Sequence, residues 1–301
     1  MREYTVPQTV TVTEEENLTD MVWANAERFG SAVSFQRRVD GTWVDLTARD
    51  FAAHVAAVAK GLIAAGIRPG DRVALMSKTR YEWTLLDFAI WAAGGVVVPI
   101  YETSSAEQVE WIVSNSRATA VIVETAAHRS VVDSVVDRLS ELRHVWQIEG
   151  PARPDTPGVV DELAAVGASV TDAELFDRRR RPGADNTATI IYTSGTTGRP
   201  KGCELTHGNF MVELGVAIPE LGALFEADDA STLLFLPLAH VFARIVQVGA
   251  VKARVRLGHS ADIKRLLPDL AEFQPTFILA VPRVFEKVFN TASQRATAEG
   301  R

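Results

Sequence analysis

Short unbroken runs of β-branched and aliphatic residues recur along this chain, each separated from the next by a segment of helical period. Residues 72–77, 96–100 and 118–124 read as strands, and residues 81–93 and 105–115 between them as helices. A strand apolar on both faces must be covered on both, and strand–helix–strand alternation provides that cover with parallel strands. The expected class is α/β, with layered, mostly parallel sheets flanked by helices. Upstream, Thr47 and Asp50 form a capping-box pattern ahead of Phe51, Val55, Val58 and Leu62. That helix ends near Gly66, and Pro69-Gly70 marks a turn.

Residues 150–158 are rich in proline and glycine and read as a loop. Residues 177–183 hold four consecutive arginines, Arg178 to Arg181, followed by Pro182. This stretch reads as a solvated linker and sets the expected boundary between two α/β subdomains, 1–182 and 183–301. Alternation then resumes, with strands expected at 187–193, 231–236 and 276–281. Helices are expected at 207–221, 241–253, 260–273 (capped by Ser260) and 283–296. Trp83, Trp91 and Trp111 lie on helical patterns and are assigned to the core.

With 301 residues, 47% of them hydrophobic and 23% charged, the chain can bury a large core. A formal net charge of −7 argues against general nucleic-acid binding, which needs a basic surface. The single cysteine, Cys203, excludes an internal disulfide framework and points to the cytosol. The first 20 residues lack the pattern of a secretory signal. The charge-poor stretches fall short of the ~20 residues that span a bilayer, which leaves open only peripheral contact at the inner membrane face.

The segment most informative about chemistry is TIIYTSGTTGRPKGCELTHGN, residues 189–209. An apolar strand runs straight into Thr193, Ser194, Gly195, Thr196, Thr197 and Gly198, then Arg199, Pro200, Lys201 and Gly202, and a helix is expected to follow. Glycines allow backbone N–H groups to approach an anion closely, the four hydroxyls add donors, and Lys201 adds positive charge. Such a cradle suits the β- and γ-phosphates of a nucleotide or departing pyrophosphate. The Walker pattern, Gly-Lys-Ser/Thr, fails here because Pro200 precedes Lys201 and Gly202 follows it.

Residues 192–202, YTSGTTGRPKG, resemble the phosphate-loop signature of the adenylate-forming enzymes, which include acyl-CoA synthetases, luciferases and peptide-synthetase adenylation domains. FLPLAHVFAR (235–244), RYEWTLLDFAIWAAGGVVVPIYETSS (80–105) and VPRVFEKVFN (281–290) resemble the long-chain fatty acyl-CoA synthetase branch, closest to its actinobacterial type. The resemblance implies an AMP-forming acid–thiol ligase with ATP, Mg²⁺, coenzyme A and a fatty acid as its small molecules. It implies that residues 193–202 hold the β- and γ-phosphates, that Thr193 and Ser194 make side-chain contacts with Thr193 next to the metal, and that Lys201 acts catalytically. It places His240 beside the acyl carboxylate and adenylate. Arg244 and Arg283 are candidates for contact with phosphate or the CoA nucleotide, or for surface or intersubdomain pairing, His207 for helix-start chemistry, and Cys203 for a passive small residue.

No Tyr-Gly-x-Thr-Glu segment follows Val281, and neither a ribose-binding aspartate nor a C-terminal domain with its catalytic lysine is identified. The chain is therefore expected to be the front portion of such a synthetase and to make little or no acyl-CoA alone. A non-catalytic nucleotide-binding homologue and an aryl- or amino-acid-activating ligase are the competing readings. Oligomeric state is not encoded in any motif.

Overall fold

The computed structural model describes residues 9–150, 158–193, 198–225, 227, 229–282, 284–286, 289 and 293. In chain order the first half comprises α1 (Asp20–Phe29), β1 (Val33–Val39), β2 (Thr42–Thr47), α2 (Ala48–Ala64), β3 (Arg72–Met76), α3 (Tyr81–Ala92), β4 (Val96–Ile100), α4 (Ala106–Ser116), β5 (Ala118–Val123), α5 (Ala126–Asp133) and β6 (His144–Gln147). Then follow α6 (Val159–Gly167), α7 (Asp172–Arg179), β7 (Thr187–Thr193), β8 (Lys201–Thr206), α8 (His207–Glu220), α9 (Gly222–Phe225), β9 (Ser231–Leu234), α10 (Val241–Ala253), β10 (Arg256–His259) and α11 (Leu266–Phe273).

Two sheets result. One has six strands in the order β6-β5-β3-β4-β7-β8, parallel except for the antiparallel pair β7–β8. The other has four strands in the order β2-β1-β10-β9. The six-stranded sheet is buried on both faces, as its unbroken apolar strands require: Val73 and Leu75 enter one core cluster, Ala74 and Met76 the other. Helices α4 and α5 cover the second face with Val109, Ile112 and Val132. On the first face α3 is buried on every side, with Glu82 its single partly exposed residue. Trp83 and Trp91 are fully buried there, and Trp91 donates its indole N–H to the carbonyl of Ala188 at 2.8 Å.

Several expectations are corrected. The division at residue 182 does not separate two sheets, because β7 and β8 complete the sheet of β3–β6 while β1 and β2 pair with β10 and β9. Nor is the arginine stretch a free linker. Arg178 and Arg179 form the last turn of α7, Arg179 pairs with Asp20 at 2.8 Å over the Trp23 ring, and buried Asn17 donates to the carbonyls of Arg179 and Pro182. Residues 256–259 are strand β10, so Ser260 caps no helix; its hydroxyl instead donates to Asp269 at 2.7 Å. Over 276–281 only an isolated bridge forms, Thr232 to Phe277. The hairpin β1–β2 turns on Asp40-Gly41, both at positive φ, the strongest short-range hairpin signal and one the helix-and-strand alternation hid.

Candidate phosphate-loop site

Strand β7 ends at Thr193, and β8 begins at Lys201, directly opposite it in register. Residues 201–206, for which the sequence pattern predicts no strand, pair with β7 as β8, so the segment between Thr193 and Lys201 joins two antiparallel strands; the helix expected at 207–221 is α8, from His207 to Glu220. Ser194, Gly195, Thr196 and Thr197 fall outside the described residues. At the described end of the loop, Gly198 has φ +133, and a Cβ there would meet nothing within 4 Å, so the backbone faces open space in a conformation that favours glycine. Among the described residues, neither Gly198 nor Arg199 donates its amide to a backbone carbonyl. Thr193 and Lys201 are both exposed. Among the described residues, the lysine that forms an ion pair is Lys60, with Asp172, which leaves the Lys201 ammonium without a carboxylate partner. Gly202 serves packing: a Cβ there would come within 2.8 Å of Ile190 Cγ2 and 3.2 Å of the Tyr192 ring.

Both arms of the hairpin are held by α4. Tyr192 donates its hydroxyl to Asn115 Oδ1 at 2.6 Å, and Trp111 donates its indole N–H to the carbonyl of Pro200 at 2.8 Å. The Arg199 guanidinium lies 4.8 Å over the Trp111 ring. Trp111 is thus half-buried against the second core cluster and also a support for the loop, a role its helical spacing did not reveal.

The second predicted element follows β9. His240 is exposed and forms the N-cap of α10, its Nδ1 accepting the Phe242 N–H at 3.3 Å. The carboxyl end of β9 is tied to that of β3, where Thr79 donates its hydroxyl to the carbonyl of Leu236 at 2.7 Å. In the six-stranded sheet β7 is two strands from β3, about 10 Å at ordinary strand spacing. The loop and the segment leading to His240 therefore leave the carboxyl ends of strands in the two sheets, the edge at which open α/β sheets bind ligands. A cleft of about 330 Å³ opens at the same edge, lined by Thr79, Arg80, Glu82, Glu124, Glu149 and His259. Arg80 bridges Glu82, Glu149 and Glu124 there. Burial opposes ionisation of Glu82, but the neighbouring Arg80 and Arg37 outweigh it and hold the carboxyl below its ordinary range. A larger cavity, about 620 Å³, lies under the hairpin and the amino ends of β3 and β4, lined by Arg72, Gly95, Arg117 and Glu204.

Two of the other candidates, Arg244 and His207, are buried in structural contacts. Arg244 is fully buried and pairs with Asp87 at 3.1 Å; Gln247 donates to the same carboxylate at 2.7 Å. His207 opens α8 as expected, but the cap is Thr206, in a capping box with Asn209. The His207 ring is buried against Trp91, and burial pushes its pKa down to about 4. Cys203 is an exposed residue of β8, and Arg283 lies outside the described residues. Among the described residues no three His, Cys, Asp or Glu side chains converge as a metal site. No described helix is long and apolar enough to cross a membrane.

A layered α/β body carries a glycine-rich sequence between β7 and β8 at the carboxyl edge of its six-stranded sheet, and residues 22–300 match the AMP-binding enzyme family. The chain belongs to that family. It is 46% identical over 301 residues to the long-chain-fatty-acid–CoA ligase FadD15 of Mycobacterium tuberculosis, covering 100% of this chain and 49% of that protein. It is 30% identical over 278 residues to the peroxisomal long chain acyl-CoA synthetase 7 of Arabidopsis thaliana, covering 87% of this chain and 38% of that one. The chain thus spans about half the length or less of these curated relatives. Among solved structures, the N-terminal domain of FACL13 from Mycobacterium tuberculosis superposes with TM-score 0.72 at 25% identity, over 90% of this chain and 64% of that one. The FadD1 ligase of Archaeoglobus fulgidus shares the fold, with TM-score 0.77 at 20% identity, over 97% and 57% of the two chains.

Proposed function

We propose that this chain carries the ATP-phosphate loop and part of the acyl-adenylate pocket of a long-chain fatty acid–CoA ligase. The observation that carries the reading is the hairpin tip: Thr193 and Lys201 face each other exposed, Gly198 is open, and the Lys201 ammonium has no carboxylate partner among the described residues. The long-chain branch is favoured by the 46% identity to a named long-chain-fatty-acid–CoA ligase.

In this reading the β- and γ-phosphates lie against the loop, and Lys201 neutralises the charge that builds on pyrophosphate as the fatty acid carboxylate attacks the α-phosphate. The thiol of coenzyme A then displaces AMP from the acyl-adenylate. His240 borders the acyl-adenylate, its ring oriented by the Phe242 N–H, which holds Nδ1 as an acceptor. Mg²⁺ is held largely by substrate phosphates in such sites, and the single hydroxyl of Thr193 fits it as one protein oxygen. Its chemistry there would be to neutralise phosphate charge.

The test is calorimetric titration of this chain with MgATP. Lys201→Ala is expected to weaken binding by about ten- to hundredfold, the scale of losing a hydrogen bond from a charged group. Equal affinity of wild type and variant would remove Lys201 from the site, and a wild-type chain blind to MgATP would overturn the loop assignment altogether.

A further inference from the structure

We infer that α4 is the positioning element of the phosphate loop, with Trp111 and Asn115 acting as a two-point clamp on its arms. The inference rests on the proposed role of residues 193–202. Trp111 and Asn115 are four residues apart and therefore share one face of the helix. One holds Pro200, immediately before Lys201; the other holds Tyr192, immediately before Thr193. Each contact thus falls next to one member of the exposed pair, Tyr192 on the strand side of Thr193 and Pro200 on the loop side of Lys201.

The clamp acts where secondary structure cannot. The hairpin's own ladder ends at Thr193 and Lys201, and β8 is an edge strand with its outer side unpaired in the sheet. An edge hairpin anchored on one side only, by β4 against β7, can twist and splay away from that anchor. Trp111 opposes this on the β8 arm, through the hydrogen bond to the Pro200 carbonyl and the ring under Arg199, whose charge it also retains beside the loop. Proline contributes to the choice of anchor: it lacks an N–H and fixes φ, so a bond to its carbonyl constrains a short stiff segment. Holding both arms lowers the entropy an anion must otherwise remove on binding, so the effect belongs to affinity for the polyphosphate and not to recognition of adenine or ribose.

Neither side chain touches the ligand in this account; both act through the loop. The distinguishing measurement is the ratio of affinities for MgATP and AMP, determined by calorimetry on the same chain. Trp111→Phe keeps the ring and removes the donor. It should weaken MgATP and inorganic pyrophosphate by about three- to tenfold, the scale of one neutral hydrogen bond, and leave AMP unchanged. Asn115→Leu should do the same, and Asn115→Asp, which keeps an acceptor for the Tyr192 hydroxyl, should restore wild-type affinity. A parallel loss of MgATP and AMP would mean general damage and refute the clamp. So would unchanged MgATP affinity in Trp111→Phe when Lys201→Ala is impaired, a result that leaves the loop assignment standing. If neither variant changes MgATP affinity, Lys201 leaves the site and the clamp is refuted; a wild-type chain blind to MgATP would overturn the loop assignment, and the clamp with it.

Discussion

At the scale of single residues, the Asp87–Arg244 pair places two charged groups in the interior. Both side chains have zero exposure, and burial pushes the Asp87 carboxyl upward against the pull of Arg244 and Gln247. Two Arg244 nitrogens, Nε and Nη2, find no hydrogen-bond acceptor among the described residues. Removing one partner leaves a buried charge alone, so Asp87→Ala should lose about 3–5 kcal/mol in urea unfolding, whereas the apolar double variant Asp87→Leu with Arg244→Met should recover most of that loss. A double variant as unstable as the single one would show that the pair itself is stabilising. The residue types of the loop stand in the sequence itself, and glycines, hydroxyls and a lysine together suit an anion. The role of Arg244 was not legible, since an arginine in FLPLAHVFAR gives no sign that Asp87, 157 positions earlier, will neutralise it. Trp111 was half-legible: its apolar ring predicted core, but its N–H needed a partner from 89 residues away.

At the scale of elements, caps decided helix starts, and most were written locally. Thr47 with Asp50, Ser105 with Gln108 and Thr206 with Asn209 form reciprocal boxes. The Thr206 cap fixes where β8 stops and α8 begins, so Thr206→Ala should cost about 1 kcal/mol by denaturant unfolding. An unchanged midpoint would show that packing of His207 and Phe210 alone holds that boundary. Strand β8 escaped prediction for a physical reason. Exposed along most of its length, it has no alternation to betray it, and it exists because β7 offers an unpaired edge. Residues 276–281 erred the other way, having strand-like composition but only one bridge to a neighbouring strand.

At the scale of the whole molecule, burial of neutral histidines makes stability fall in mild acid. His207 and His259 are pushed by burial to about 4 and about 3, well below the ordinary 6.5. The unfolded chain therefore binds protons that the folded chain refuses between pH 6.5 and those values. Stability is full above about pH 6.5 and is lost as pH falls. Asp87 works in the opposite sense, since its raised pKa favours the folded state on acidification. The histidine share is therefore isolated by substitution: the loss between pH 7 and pH 5 should shrink by on the order of 2 kcal/mol in His207→Gln, measured by urea unfolding at each pH. An identical pH profile in wild type and variant would show that His207 titrates normally.

The chain by itself determined its α/β class, the positions of its central buried strands, most helix caps and the composition of the glycine-rich loop. These depend on interactions spanning a few residues: side-chain period, turn chemistry and capping. Tertiary structure alone decided that β1 and β2 join β9 and β10, that the arginines near residue 180 are anchored on Asp20 and Trp23, and that the loop sits on a hairpin held by α4. Each of these joins groups far apart in sequence, and their partners are selected by which edges and polar atoms remain unsatisfied once the layers have packed.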